Sequence, residues 1–200
     1  RHTKTSEPKS EPDEQEAIKK NLLKEQADLI KHKKKYIGQV PPKYQLIKTD
    51  KAIRPEYLKN SLFIHGECGT GKTVYAFSIL KERLLKLERI RFISYPKFIM
   101  EMQSTYRSDQ TSPYDTALEI ARAEGVLFID DMGAEKLTEF VRQITYFLIN
   151  EREQYQLPTI ITSNYSLKDL STQIDTRIAS RIAGMCTIIE IAGKDRRIKR

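Results

Sequence analysis

The chain has 200 residues, of which 39% are hydrophobic and 31% charged, and its formal net charge is +8. This length suits one globular domain with some additional sequence. No apolar run approaches the ~18 residues of a membrane span, and no signal-peptide pattern opens the chain. The two cysteines, Cys68 and Cys186, are too few for a disulfide framework. We therefore expect a cytoplasmic protein that makes no contact with membranes.

The excess of basic residues favours nucleic acid or another polyanion as a partner, although many proteins without such partners are also basic. The chain opens with Arg1 instead of Met, which leaves open whether it is a fragment of a longer protein.

The first 38 residues differ in composition from the rest. Residues 1–16 have almost nothing to bury and are predicted to be disordered. Residues 14–35 show a helical pattern with a narrow apolar stripe and end in a basic run at 31–35. Two interpretations remain open: a solvated, frayed helix, or an arm that contacts a partner or DNA. Gly38 and the prolines at 41–42 predict a boundary near residue 38, so residues 39–200 form the second region.

Helical and strand patterns alternate in this second region, which predicts an α/β fold with helices around a parallel sheet. A helix over residues 72–87 is expected to turn five side chains toward the core, namely Val74, Phe77, Leu80, Leu84 and Leu87. Further helices are predicted from Pro96 onward and over 115–124 and 140–155, and residues 167–180 are expected to be largely helical. Strands are predicted over 62–64, 90–95, 126–129, 157–162 and 186–191.

The most informative stretch lies between the first strand and the first helix of this region. Its sequence follows the P-loop pattern G-x-x-x-x-G-K-T, which requires a strand before it and a helix after it. The glycines permit close approach of the backbone, and the loop amides face an anionic phosphate. Lys72 can reach the β- and γ-phosphates, and the Thr73 hydroxyl is placed to bind Mg²⁺. The predicted nucleotide-binding residues are Gly66, Glu67, Cys68, Gly69, Thr70, Gly71, Lys72 and Thr73.

Two polar groups follow later strands. Asp130 and Asp131 come directly after the apolar run 126–129, which is the Walker B arrangement. Asp130 would hold Mg²⁺, and Asp131 would polarise the attacking water. Asn164 closes the strand 157–162 and could orient that water. Paired acids can also cap a helix and asparagine can form a turn, but a P-loop upstream favours the catalytic interpretation. The strand at 90–95 separates the two motifs, which is typical of the ASCE branch of P-loop ATPases.

These motifs together resemble the AAA+ ATPases of the DnaC/DnaI helicase-loader type and their IstB-type transposition relatives. The similarity covers about residues 40–200. It rests on Val-Pro-Pro-Lys-Tyr at 40–44, the P-loop, Phe-Ile-Asp-Asp-Met-Gly-Ala-Glu at 128–135, Thr-Ser-Asn-Tyr-Ser at 162–166, residues 175–182 and the tail 193–197. The resemblance implies a five-stranded parallel sheet without a full C-terminal helical lid.

The resemblance also implies roles for single residues. Asn164 corresponds to sensor 1, and Arg181 to the arginine finger that acts on ATP in the neighbouring subunit. Arg177 lies one turn earlier on the same helical face as its companion. Arg197, or less favourably Arg196, corresponds to the terminal arginine that senses nucleotide in cis. Without the resemblance, Arg177 and Arg181 would be interpreted as a solvated helix face.

The function expected from this resemblance is an ATP- and Mg²⁺-dependent loader of a replicative helicase. It would assemble as an ATP-dependent homo-oligomer on single-stranded DNA and hydrolyse ATP as a switch. Two alternatives remain open. One is a transposition helper that assembles on duplex DNA, and the other is a DNA-binding module in which ATP is structural.

Overall fold

The computed structural model describes residues 11–47, 53–86, 88–107 and 112–195. The chain divides between Gly38 and Gln39 into two units. In the first unit, α1 (Glu11–Gln39) is a single helix, and four of its apolar side chains are exposed: Ile18, Leu22, Leu23 and Ile30. The prediction of disorder is wrong for residues 11–16, which are helical. Their sequence places a proline and several acidic residues in the first turns, where both favour a helix.

The second unit alternates strands and helices. The described elements are α2 (Pro42–Gln45), a 3₁₀ turn (Pro55–Leu58), β1 (Ser61–His65), α3 (Lys72–Leu85), β2 (Ile90–Ser94), α4 (Tyr95–Arg107), α5 (Pro113–Ala121), β3 (Val126–Met132), α6 (Glu139–Gln154), β4 (Thr159–Ser163), α7 (Leu167–Gln173), α8 (Thr176–Met185) and β5 (Cys186–Glu190). No helix among the described residues combines the length and the apolar character needed to cross a bilayer.

The five strands form one parallel sheet in the order β2-β3-β4-β1-β5. Side chains of successive strand residues point to opposite faces. Leu127 and Ile129 of β3 belong to the core cluster shared with α4, α5, α6, α7 and α8. Phe128 points the other way, and its ring lies 5.1 Å from that of Phe77 on α3. Both faces of the sheet are therefore covered, which explains the uninterrupted apolar run in β3.

The sequence-based prediction for one residue of α3 is wrong. Val74 was expected to face the core, but it is 43% exposed, whereas Phe77, Leu80 and Leu84 are buried. Val74 lies in the first turn of α3, directly after the P-loop. Its side chain lines an open cavity instead of packing on the sheet. Leu87 lies outside the described residues.

Residues 167–180 were expected to be largely helical, and they form α7 and the first part of α8. Asp175 separates them because its backbone is extended, and its side chain accepts a hydrogen bond from the Arg177 amide to cap α8. The break is a normal helix start with an aspartate cap.

A buried arginine holds the amino-terminal side of the sheet. Arg152 of α6 is fully buried and donates hydrogen bonds to the carbonyls of Ala121, Ala123, Gly125 and Pro158. These carbonyls lie at the entries to β3 and β4. Burial lowers the pKa of Arg152 to about 10, so the guanidinium stays charged at neutral pH. The strand that contains Asp130 and the strand that precedes Asn164 are thus fixed at their starts.

Candidate nucleotide-binding site

The P-loop connects β1 to α3 at the carboxyl edge of the sheet. Gly69 and Gly71 have φ angles of +78° and +103°, in the left-handed region that glycine adopts without strain. A Cβ at Gly66 would clash with the backbone carbonyl of Ile191. The backbone conformation of the loop thus requires glycine at 69 and 71, and the contact with the segment that follows β5 requires glycine at 66.

Lys72 is enclosed by the loop that it follows. It is 6% exposed, and its Nζ donates hydrogen bonds to the carbonyls of Gly66 at 3.0 Å and Glu67 at 2.8 Å. A third bond of 2.7 Å reaches Oδ1 of Asn164 at the end of β4. The ammonium is therefore held at the mouth of the P-loop, where the resemblance to ATPases places the β- and γ-phosphates.

Asp130 receives two hydroxyl hydrogen bonds. Thr73 Oγ1 donates to its Oδ1 at 2.9 Å, and Thr162 Oγ1 donates to the same oxygen at 2.7 Å. Burial raises the pKa of Asp130, and the two hydroxyl bonds partly oppose that shift. Thr162 also accepts a hydrogen bond from the Asp131 amide at 2.9 Å. The ends of β3 and β4 are thereby joined at the predicted metal-binding carboxylate.

The donor set fits Mg²⁺. Carboxylate and hydroxyl oxygens are its preferred ligands, and it commonly takes one or two protein groups together with phosphate oxygens and waters. Asp130 and Thr73 already point to one place. Among the described residues, no group of three or more His, Cys, Asp or Glu side chains could hold a metal alone. These two residues could therefore hold Mg²⁺ jointly with a nucleotide.

Asp131 has an unusual backbone that directs its carboxylate into the site. Its φ is +63°, in a region that non-glycine residues rarely occupy and that is common near functional sites. The pairing of β3 with β4 is irregular between Ile129 and Met132. Asn164 Nδ2 donates to Asp131 Oδ1 at 3.1 Å. The catalytic carboxylate and amide predicted from the sequence are therefore in direct contact.

These groups line a cavity of about 560 Å³. Its lining residues are Lys43, Tyr44, Cys68, Gly69, Gly71, Lys72, Thr73, Val74, Asp130, Asp131 and Asn164. A second cavity of about 510 Å³ lies beyond Gly71 and Val74 and includes Ile47, Tyr75, Ile189 and Ile191. The first has the charged groups that phosphates require, and the second has an apolar wall suited to a nucleobase.

Sequence reasoning assigned no site role to Lys43 or Tyr44. They belong to the stretch 40–44 that contributed to the family resemblance, and this resemblance was the sequence signal that could have identified them as site residues. The role of Glu67 in nucleotide binding stays a prediction that rests on its backbone, since its side chain is exposed. Its backbone carbonyl accepts hydrogen bonds from Lys72 Nζ and from Thr70 Oγ1 at 2.9 Å.

The two predicted arginines of α8 do not line this cavity. Both guanidinium groups lie over the ring of Tyr146 on α6, at 4.9 Å for Arg177 and 5.2 Å for Arg181. Arg177 also pairs with Asp175 at 3.0 Å, and Arg181 pairs with Glu153. They share one helical face, as expected, but their catalytic role stays a prediction. Arg196 and Arg197 lie outside the described residues.

Residues 46–188 match the sequence family described as the bacterial DnaA ATPase domain. The chain belongs to this family. Its members are AAA+ ATPase domains, in agreement with the P-loop, the Walker B carboxylates and the parallel sheet. The chain is therefore an ATP-binding AAA+ domain by family.

Curated relatives include two replicative helicase loaders. The chain is 28% identical to DnaI of Bacillus subtilis over 149 residues, which cover 68% of this chain and 47% of DnaI. It is 23% identical to DnaC of Escherichia coli K12 over 122 residues, which cover 61% of this chain and 49% of DnaC. The chain thus spans about half the length of these relatives.

Solved structures agree with the sequence relatives. A crystal structure of the DnaC helicase loader superposes with a TM-score of 0.59 at 26% identity, covering 70% of this chain and 82% of that one. A DnaA structure bound to AMPPCP and single-stranded DNA gives a TM-score of 0.61 at 20% identity, covering 77% and 51%, and shows a shared fold. The predicted resemblance to AAA+ ATPases of the DnaC/DnaI type and the predicted fold class are confirmed.

Proposed function

We propose that this chain is the ATPase domain of a replicative helicase loader, which binds ATP with Mg²⁺ and uses its hydrolysis as an assembly switch. The observation that carries the proposal is the convergence of Lys72, Thr73, Asp130, Asp131 and Asn164 on one cavity. The similarity to DnaI and DnaC supports the loader assignment.

The residues divide the chemistry among them. The P-loop amides and Lys72 bind the phosphates, while Thr73 and Asp130 would hold Mg²⁺, which would neutralise charge on them. Asp131 polarises the water that attacks the γ-phosphorus and takes up the proton that this water loses. The bond from the γ-phosphorus to the bridging oxygen breaks, and ADP leaves with its electrons. Asn164 fixes Asp131 and the water. Arg181 of a neighbouring subunit supplies the cation that stabilises charge on the transferred group, with Arg177 beside it and Arg197 contacting nucleotide in cis.

The proposed partners are single-stranded DNA and a replicative helicase, which the chain engages as an ATP-dependent homo-oligomer in the cytoplasm. The names of DnaI and DnaC support the helicase partner, and the DnaA structure with single-stranded DNA supports the nucleic acid. The net charge of +8 is consistent with phosphate contacts. The basic run at 31–35, the tail 194–200 and the helices between residues 95 and 124 are proposed to contact the DNA.

The test combines two measurements on the full chain. Fluorescence anisotropy with single-stranded and duplex oligonucleotides, at several salt concentrations, should show single-strand binding that ATP strengthens and salt weakens steeply. Pull-down of the replicative helicase of the same organism should depend on ATP, and Lys72→Ala should abolish that dependence. A clear duplex preference would contradict the loader assignment and favour a transposition helper. Unchanged DNA-dependent behaviour in Asp131→Asn would favour structural ATP.

A further inference from the structure

The short helix α2 forms one wall of the nucleotide cavity. Pro41 precedes it, and its carbonyl accepts a hydrogen bond from the Tyr44 amide at 2.8 Å. Gln45 Nε2 donates to the carbonyl of Val40 at 3.0 Å, and Val40 is buried. The turn that carries Lys43 is therefore fixed by its own backbone contacts.

Tyr44 anchors this turn to the elements that carry the site. Its ring stacks on Phe77 of α3 with 4.6 Å between centroids and an interplanar angle of 25°. Phe77 in turn contacts Phe128 of β3. Because α3 begins with Lys72 and β3 ends near Asp130, this aromatic series fixes α2 relative to both.

Lys43 projects from this turn into the cavity. Its Nζ lies 4.5 Å from the centroid of the Tyr44 ring, a cation–π distance. Of the residues that line the cavity, Lys43 and Lys72 are the basic ones. Lys43 and Asp130 both line this cavity, and both also line the adjacent one. Lys43 is thus close to the metal-binding end of the cavity.

The two lysines approach that end in different ways. Lys72 is buried and bonded to loop carbonyls, which fixes its ammonium at the mouth of the P-loop. Lys43 is exposed, and within the described part of the chain it forms no ion pair with a carboxylate. Its ammonium is available to an anionic ligand near Asp130 and Asp131. In a bound nucleoside triphosphate, the group nearest these carboxylates is the γ-phosphate.

We propose that Lys43 contacts the γ-phosphoryl oxygens of ATP bound in its own subunit, so that α2 distinguishes ATP from ADP. The inference rests on the proposed ATP binding and adds a cis cation to it. ADP has no γ-phosphate, so the contact exists only in the triphosphate complex. A hydrogen bond to a charged group changes affinity by roughly 10- to 100-fold, and the exposure of Lys43 places the expected effect near 10-fold.

The test measures dissociation constants for ATP and ADP, both with Mg²⁺, by titration against a fluorescent nucleotide. Lys43→Gln should weaken ATP binding by about 10-fold and ADP binding by less than about twofold. Lys43→Arg keeps the charge and should stay near the wild-type ATP affinity. Lys59→Gln is the matched control, because Lys59 is an exposed lysine that does not line this cavity, and it should change neither constant.

Several outcomes would overturn the inference. These are equal weakening of ATP and ADP binding by Lys43→Gln, no weakening of ATP binding, or the same effect in Lys59→Gln, which would show that the loss of any surface charge is sufficient. Failure of the wild-type chain to bind either nucleotide would instead contradict the proposed function itself. Thermal unfolding of each variant, followed by circular dichroism, checks that Lys43→Gln remains folded.

Discussion

Lys72 Nζ donates a 2.7 Å hydrogen bond to Asn164 Oδ1, although 92 residues separate them in the chain. The same Asn164 side chain donates through Nδ2 to Asp131 at 3.1 Å. An amide is suited to this position because it accepts from the ammonium and donates to the carboxylate at once. Asn164 therefore links Lys72 of the P-loop to Asp131, the carboxylate proposed to polarise the attacking water.

Removing this amide should slow hydrolysis more than it weakens binding. Asn164→Ala should lower kcat by roughly 10²-fold, the effect of losing one positioned polar contact to the reacting groups. Asn164→Asp should be at least as slow, because it places a second negative charge beside Asp131. Phosphate release and nucleotide titration measure the two effects, with Gln143→Ala on α6 as control. A normal kcat in Asn164→Ala would leave this residue only a turn-forming role.

Substitution of the P-loop lysine should abolish ATP binding, whereas substitution of the second aspartate should slow hydrolysis and leave binding intact. Lys72→Ala removes the cation at the phosphates and should abolish measurable ATP binding. Asp131→Asn keeps the side-chain shape, and asparagine tolerates the positive φ at this position. It should therefore bind ATP normally and hydrolyse it roughly 10²-fold more slowly or worse. Single-turnover assays separate the two steps, and full turnover in Asp131→Asn would remove its assigned role.

Arg181 of α8 should act on ATP that is bound in a neighbouring subunit. Arg181→Ala should bind ATP but hydrolyse it about 10³-fold more slowly, the low end of the effect of an arginine finger. Wild-type specific activity should rise with protein concentration. Mixing Arg181→Ala with Lys72→Ala subunits should restore some turnover, since an intact pocket meets an intact finger.

The mixing experiment needs a control variant and a check that the subunits assemble. Arg89→Ala removes an exposed arginine paired with Glu124 on another surface, and it should keep full activity. Recovery in the mixture requires that Lys72→Ala subunits still assemble, which analytical ultracentrifugation determines. Full activity of Arg181→Ala at low concentration would show that Arg181 serves only to bind Tyr146 and Glu153.

The α8 cap should make stability depend on pH. Hydrogen bonds from Arg177 hold the pKa of Asp175 below its usual range. Because the folded pKa is below the unfolded value of about 3.9, the stabilisation is present above about pH 4 and is lost as pH falls through the folded pKa. Urea unfolding should show Asp175→Asn less stable by about 0.5 kcal/mol at pH 7, with the difference shrinking below pH 4. A pH-independent difference would contradict this charge effect.

The exposed side chain of Val74 should affect the base end of the site. Val74→Glu introduces a charge between the two cavities, while an acidic residue in the first turn of α3 is favourable for the helix. Affinity for ATP and ADP should fall together by roughly 10-fold, which is the contribution of one apolar side chain that a bound base would bury. This pattern differs from that of Lys43→Gln. Equal affinity in Val74→Glu and wild type would place the base elsewhere.

The sequence by itself determined the features that depend on neighbouring residues. A glycine-rich loop between an apolar strand and an amphipathic helix defines a P-loop, because its backbone angles and amide positions are local properties. The apolar run at 126–129 indicated a strand, because such runs are typical of strands buried in a parallel sheet. Asp130, Asp131 and Asn164 could be named as candidates because each follows a predicted strand.

Tertiary structure alone decided which of these candidates meet. The sheet order places β3 beside β4 and β4 beside β1, and this brings Asp131, Asn164 and Lys72 together. The exposure of Val74 and the position of Lys43 likewise depend on contacts between distant segments, such as that of Tyr44 with Phe77. Helical periodicity could not reveal them, because it reports which residues share a face and carries no information on what covers that face.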